Sequence, residues 1–417
     1  MKREARDNTS NKYPKPVTKV ELSDKHVKLR VILIICFVII AGIFIGIALS
    51  RQFGTKAGWT VIQATYDENN NAGDFTFNYE LGTKDISVST EKNTVSKIYT
   101  ESLIKIYQLL DEYTEFTSLK NIYYINNHCN EEIEIDSLLY ECFERVQNNR
   151  YIYQSLILDQ YNNLFVSDTD ISAEKFDAHK NEELKEYYLE VLHFTNDSNH
   201  VNLELLGNNK VMLKVSAEYL NYMEENKNYI SFGILKNACI IDYVSEQLIK
   251  NEFTTGFITS VDGYIRNLDK RDITYKMNVF DKEYNIYNAF SFSYKHSKSI
   301  VYLKNYAISS VNDSHYYEYK DGTRRTEFID LNDGIDKAVV SNMVALSNDY
   351  SCLELLLEIL PVYINESIDT SLISDLKTKN INMIYIDGRE VHYNFNTTID
   401  NLYSTDSISY EVIYDKD

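Results

Sequence analysis

Hydrophobic and polar positions change period several times along the chain. Residues 31–50, VILIICFVIIAGIFIGIALS, are apolar throughout and uncharged. A helix rises ~1.5 Å per residue, so such a run reaches ~30 Å, the hydrocarbon thickness of a bilayer. It is predicted to be an uncleaved membrane anchor. A signal peptide's apolar region is shorter, about 7–15 residues, and ends at a small-residue cleavage site, whereas this run meets Arg51. Cys36 lies in mid-span, so no lipoprotein box is present.

Beyond the anchor the pattern alternates between two periods. Residues 60–66 (TVIQATY) and 75–81 (FTFNYEL) alternate as half-buried strands do. Residues 95–110 place Val95, Ile98, Ile104, Tyr107 and Leu110 at helical spacing, and 137–146 (SLLYECFERV) is a second amphipathic helix. The polar stretch 168–188 reads as a surface loop and a helix. Residues 201–215 read as a hairpin around Gly207, Asn208 and Asn209. A helix over 241–249 precedes strands at 256–260, 263–266 and onward to about residue 308. Residues 342–360 read as largely helical, and 384–387, 391–395 and 408–413 as terminal strands. Strands and helices mix without a strict βα alternation, which predicts an α+β class. The divisions are a tail over 1–30, the anchor over 31–50, a stalk with first strands over 51–94, and one domain over 95–417.

Charge gives the anchor a direction. The chain has 42 basic and 62 acidic residues, a net charge of −20. Residues 1–30 hold nine Lys or Arg against four Asp or Glu, a net of +5. The rest holds 33 against 58, a net of −25. The basic side belongs inside the cell, so the acidic part is expected outside, beyond a single pass of the cell membrane. An acid excess of this size argues against nucleic-acid partners, because phosphate backbones are bound through Lys and Arg patches. The apolar content of 44% is enough for a sizeable core and excludes a disordered chain. The 35 tyrosines are read as amphipathic strand residues.

Generic catalytic motifs are absent: the sequence has no P-loop, GxSxG, HExxH or CxxC. The eight histidines, His315 among them, are scattered without metal-ligand spacing. Cys142, Cys239 and Cys352 fall in or beside apolar helical runs, where buried free thiols are expected more than bridges; Cys129 completes an even set.

Three segments in order resemble the FAD:protein FMN transferase (ApbE) family, over roughly residues 95–395. Residues 232–242, FGILKNACIID, are similar to the family's GGIAKGYAxD: Gly233, Ile234 and Lys236 match, Asn237 replaces a glycine, and an acid recurs one place later, at Asp242. The strand that follows ends at Val261, Asp262 and Gly263, where the family has paired glycines. Residues 306–334 are similar to the family's AIATSGxY…DG…HHIIDPxTG. Ser309 and Ser310 stand at its Thr-Ser, and Asp321, Gly322, Ile329, Asp330 and Gly334 match. Residues 344–361, VALSNDYSCLELLLEILP, keep the apolar pattern of its VxAxSxxxADALATALFVLG.

The resemblance implies an ApbE-like α+β domain, bound FAD and Mg²⁺, and transfer of FMN from FAD onto a Thr or Ser of an extracytoplasmic acceptor protein. It implies cofactor contacts at Gly233, Lys236, Asp242, Asp262, Ser309 and Ser310, with Glu327 and Asp330 at the catalytic segment. The family's metal-binding Asp and Thr fall on Ser351 and Leu355, with Asp349 the nearest preceding acid. Its His falls on Glu327, and a glycine falls on Val311. A hard divalent cation needs anionic oxygens, which leucine lacks. The expected protein is therefore an anchored extracytoplasmic binding or scaffold domain with a lost or strongly altered metal and flavin site, meeting a protein partner at the outer membrane face. The alternative is an active Mg²⁺-dependent FMN transferase, and a third reading is an unrelated surface-binding module.

Overall fold

Nine strands that follow one another along the chain lie side by side in one sheet. They are β1 (Gly58–Ile62), β2 (Phe75–Leu81), β3 (Gly256–Ser260), β4 (Tyr264–Asn267), β5 (Lys298–Lys304), β6 (Asn342–Ser347), β7 (Asn382–Asp387), β8 (Glu390–Tyr393) and β9 (Glu411–Tyr414). Neighbours are antiparallel up to β7/β8, and β8/β9 is parallel. The computed structural model describes residues 55–65, 71–146, 149–224, 226–309 and 313–415. The expected anchor and basic tail lie outside these residues. Among the described residues no helix is long and apolar enough to cross a membrane.

The central strands are apolar on both faces, so they read as continuous runs rather than alternating ones. Along β5, Ile300 and Tyr302 join one core while Val301 and Leu303 join the other. The same division separates Val344 and Leu346 from Met343 and Ala345 on β6, and Ile384 and Ile386 from Met383 and Tyr385 on β7. One face is covered by helices α1 (Val88–Leu110), α2 (Ser137–Val146), α3 (Lys236–Lys250) and α4 (Cys352–Tyr363). The other is covered by a three-stranded sheet of Thr274–Lys282, Ile286–Lys295 and Ile399–Asp400, through Val279, Phe290 and Phe292. Strands β1 and β2 extend the main sheet at its β3 edge, and Lys56–Asp417 is one compact unit.

Local chemistry explains where the elements depart from the periodicity. Helix α1 begins at Val88, seven residues before its expected start, because Ser87 caps it by accepting the Thr90 N–H at 3.1 Å. Its buried Glu91 accepts from Tyr79 Oη (2.9 Å) and the Gly82 N–H (2.6 Å), pinning the helix to the end of β2. The hairpin forms as expected, Val201–Gly207 with Lys210–Val215, and Asn208 and Asn209 take φ of 51° and 60° in its turn.

The helix expected over 342–360 is corrected: Asn342–Ser347 is the fully buried strand β6, and helix starts only at Cys352. A short apolar run is ambiguous between buried strand and buried helix, and length decides it here. The polar stretch near 168–188 is not all surface, since Asp177 is fully buried against Arg325. Tyrosine is more than a strand residue: Tyr99, Tyr161, Tyr188 and Tyr363 are among the largest fully buried side chains, and all lie on helices.

Candidate functional site

The N-terminus of α3, the β3–β4 turn and the segment around His315 enclose a cavity of about 290 Å³. A 3₁₀ turn, Gly233–Leu235, feeds α3. Gly233 has φ +43°, which favours glycine, and a Cβ there would lie 2.5 Å from Leu158 Cδ1, so that a larger residue would also have to displace the leucine tip. Lys236, the first residue of α3, places Nζ 3.5 Å from Glu112 Oε2 and 5.0 Å from the centre of the Tyr107 ring. Asn237 donates from Nδ2 to Asp262 Oδ2 at 2.6 Å. Asn71 donates to Asn237 Oδ1 (2.9 Å) and to Asp74 Oδ2 (3.1 Å).

Asp262 is held in place by the glycine after it. Gly263 has φ +102°, and a Cβ there would lie 2.2 Å from the Tyr302 carbonyl oxygen, so the turn can close over β5 only without a side chain. His315 then lies between two carboxylates: Nδ1 is 2.9 Å from Glu327 Oε2, and Nε2 is 3.6 Å from Asp262 Oδ1. The Glu327 charge is the main cause of a rise in the His315 pKa to about 10, outweighing burial, with Asp262 and Asp74 adding to it. His315 is therefore an imidazolium at neutral pH, donating to Glu327. Burial and the Glu327 charge raise the Asp262 pKa. Lys304, at the end of β5, is 1% exposed and donates to the Tyr302 carbonyl at 3.3 Å. Burial lowers its pKa to about 8, against the pull of Asp262 and Glu327.

The cavity is thus a polar pocket with charges of both signs. Its acceptors are not all used: Asp262 Oδ1 and Asn71 Oδ1 are buried without a hydrogen bond. Among the described residues no group of three or more His, Cys, Asp or Glu side chains is arranged to hold a metal ion.

Four of the residues singled out from the sequence meet here: Gly233, Lys236, Asp262 and Glu327 all line the cavity. Asp242 does not. It is buried on the far side of α3, and its two oxygens accept the N–H groups of Cys352 and Leu353, each at 2.8 Å. It caps α4 instead of facing a cofactor, and burial lifts its pKa to about 6 despite those bonds. Asp330 does not line the cavity either. It sits in a turn, 2.7 Å from Lys337 Nζ, and accepts the Asn332 N–H at 2.9 Å. Ser351 is the N-cap of α4, in a capping box: Oγ accepts the Glu354 N–H (3.3 Å) and Glu354 Oε2 accepts the Ser351 N–H (2.9 Å). Asp349 lines a separate cavity with Lys298 and Asn380, so Ser351 and Asp349 do not join the cluster. Ser309 is exposed in the loop after β5, and Ser310 lies outside the described residues.

His315, Asp74, Asn71 and Lys304 were not found by sequence reasoning. His315 meets partners 12 and 53 residues away in the chain, a separation that no local spacing rule detects.

Solved structures of the same architecture exist. An ApbE protein from Thermotoga maritima matches with a TM-score of 0.54 at 14% identity, over 79% of this chain and 94% of that one. A single-residue variant of the flavin transferase ApbE from Vibrio cholerae matches with a TM-score of 0.50 at 11% identity, over 82% of this chain and 98% of that one. The fold is therefore ApbE-like. No protein-family model and no curated protein sequence matches the chain.

Proposed function

We propose that this chain is a membrane-anchored, extracytoplasmic binding or scaffold protein on an ApbE-like frame, whose metal and flavin positions have been turned to structural use. The observation that carries this reading is the fate of the segment aligned with the family's metal ligands. Ser351 Oγ is used in capping α4, and Leu355 is fully buried in the core and has no donor atom. Two carboxylates at the start of that helix are engaged by backbone: Asp242 accepts two N–H groups, and Glu354 accepts the Ser351 N–H. These residues do not fit Mg²⁺, which takes oxygen ligands, usually from one or two carboxylates plus substrate phosphates. The cavity also disfavours a pyrophosphate, because Asp74, Asp262 and Glu327 outnumber the cations Lys236 and His315 in its lining. Anchoring is supported by the uncharged run 31–50 and its basic flank.

A second reading, an Mg²⁺-dependent FMN transferase acting on Thr or Ser of an acceptor protein, is favoured by one observation: Gly233, Lys236, Asp262 and Glu327 share one cavity. The purified full chain decides between them. FAD is titrated with and without Mg²⁺ while flavin fluorescence and heat are followed. The binding-domain reading expects no saturation up to about 1 mM FAD, where binding would be worth only about −4 kcal/mol. Micromolar, Mg²⁺-dependent binding overturns it, and FMN transfer to an acceptor peptide is then the next assay.

A further inference from the structure

Two of the buried thiols face each other. Cys142 on α2 and Cys239 on α3 are 3% and 1% exposed, and their Sγ atoms are 3.1 Å apart. Unbonded carbon atoms rest at ~3.5–4.0 Å, and sulfur is the larger atom, so this is close for two separate thiols. A disulfide bond is ~2.05 Å long, and an approach of about 1 Å would close it. The seam is fixed further along both helices, where Arg145 Nη2 meets Glu246 Oε1 at 2.7 Å. The other described cysteines have different partners: Cys129 Sγ lies 3.3 Å from the Asn126 carbonyl, and Cys352 Sγ lies 3.3 Å from the Ile265 carbonyl. Geometry therefore selects one pairing out of the set.

We propose that Cys142 and Cys239 are an oxidisable pair that forms an intrachain disulfide between α2 and α3. The oxidant is itself a disulfide, such as oxidised glutathione or a disulfide-bearing oxidoreductase. One cysteine, as thiolate, attacks it and releases the first thiol, leaving a mixed disulfide. The second cysteine, also as thiolate, attacks that sulfur and releases the second thiol. Two protons and two electrons leave the protein, and the oxidant is reduced to two thiols. Burial makes the step slow in the intact fold, since the thiolate is the reacting form and an apolar site disfavours it. The cross-link would tie down α3 one turn from Lys236 and Asn237, which line the cavity.

The test uses the full chain, refolded from urea in a reduced and oxidised glutathione buffer so that every thiol is accessible while pairing is chosen. Remaining thiols are alkylated, the protein is digested without reduction, and peptides are identified by mass. The expected product is the Cys142 peptide joined to the Cys239 peptide, two hydrogens lighter than their sum, with Cys129 and Cys352 alkylated. The oxidised chain should also unfold at a higher urea concentration than the same chain after reduction. Cys142→Ser and Cys239→Ser should each abolish both the linked peptide and the shift. Alkylation of both Cys142 and Cys239, glutathione adducts that never resolve, or a bridge from either one to Cys129, Cys352 or Cys36 would overturn the proposal.

Discussion

His315 is held between two carboxylates that its sequence neighbourhood does not disclose. Its folded pKa is raised from 6.5 to about 10, so the folded state holds a proton there that the unfolded chain releases. That stabilisation is complete below about pH 6.5 and is lost as pH rises towards 10. Lys304 acts in the opposite sense over part of the window: its pKa falls to about 8, so its contribution rises with pH between about 8 and 10.5. Comparison of variants separates the two. His315→Gln should lower stability at pH 6 and flatten its decline between pH 6.5 and 7, below the range in which Lys304 titrates. Urea unfolding midpoints across pH would check this, and an unchanged slope in the variant would sink the imidazolium assignment. A second residue-scale prediction concerns tyrosine hydroxyls. Tyr99 Oη is buried without a partner, whereas Tyr264 Oη donates to the Ile234 carbonyl at 2.9 Å. Tyr99→Phe should be neutral or stabilise by up to about 1 kcal/mol, and Tyr264→Phe should cost about 1 kcal/mol. Equal effects in thermal unfolding would refute that distinction.

At the scale of elements, α4 shows what a sequence can and cannot disclose. Its apolar pattern was legible. Its start was not, because Ser351 was read only against the family's metal ligand, and its cap is completed from a distant part of the chain. Only the fold shows that Asp242, 110 residues before Cys352, supplies the rest of the cap. The same holds for β6, whose run NMVALS is strand because both of its faces meet a core. Gly233 and Lys236 came from the family resemblance, whereas α3 starts at Lys236, five residues before the expected helix. Asp330 and Asp349 lie away from the cavity, and an acid in an acidic chain carries little positional information. The cap gives a graded prediction. Ser351→Ala should cost about 1 kcal/mol, the usual worth of an N-cap side chain. Asp242→Ala leaves two buried N–H groups without acceptors, each worth about 1–3 kcal/mol, and should cost more, about 2–5 kcal/mol. If Ser351→Ala proved the more damaging, Asp242 would not be the principal cap.

For the whole molecule, the charge distribution and the apolar run make one joint claim about place. The segment 31–50 lies outside the described residues. In the anchored arrangement proposed above, its twenty uncharged residues would span a bilayer, and the nine basic residues on their N-terminal side would set the orientation. The remainder, at −25, is suited to an aqueous compartment, and it repels polyanions. Two tests follow from this. Full-length chain should stay with membranes through a high-salt, alkaline wash that strips peripheral proteins, while a chain lacking residues 31–50 should be released. Protease added outside intact, cell-wall-stripped cells should digest the region from Lys56 onward while the basic tail survives. Replacing Lys25, Lys28 and Arg30 by neutral residues should then mix the orientations, because those charges lie nearest the span. Release of the full chain by the wash, or digestion of the outer region only after lysis, would remove the anchored, outward-facing arrangement and with it the expectation of a partner at the outer membrane face.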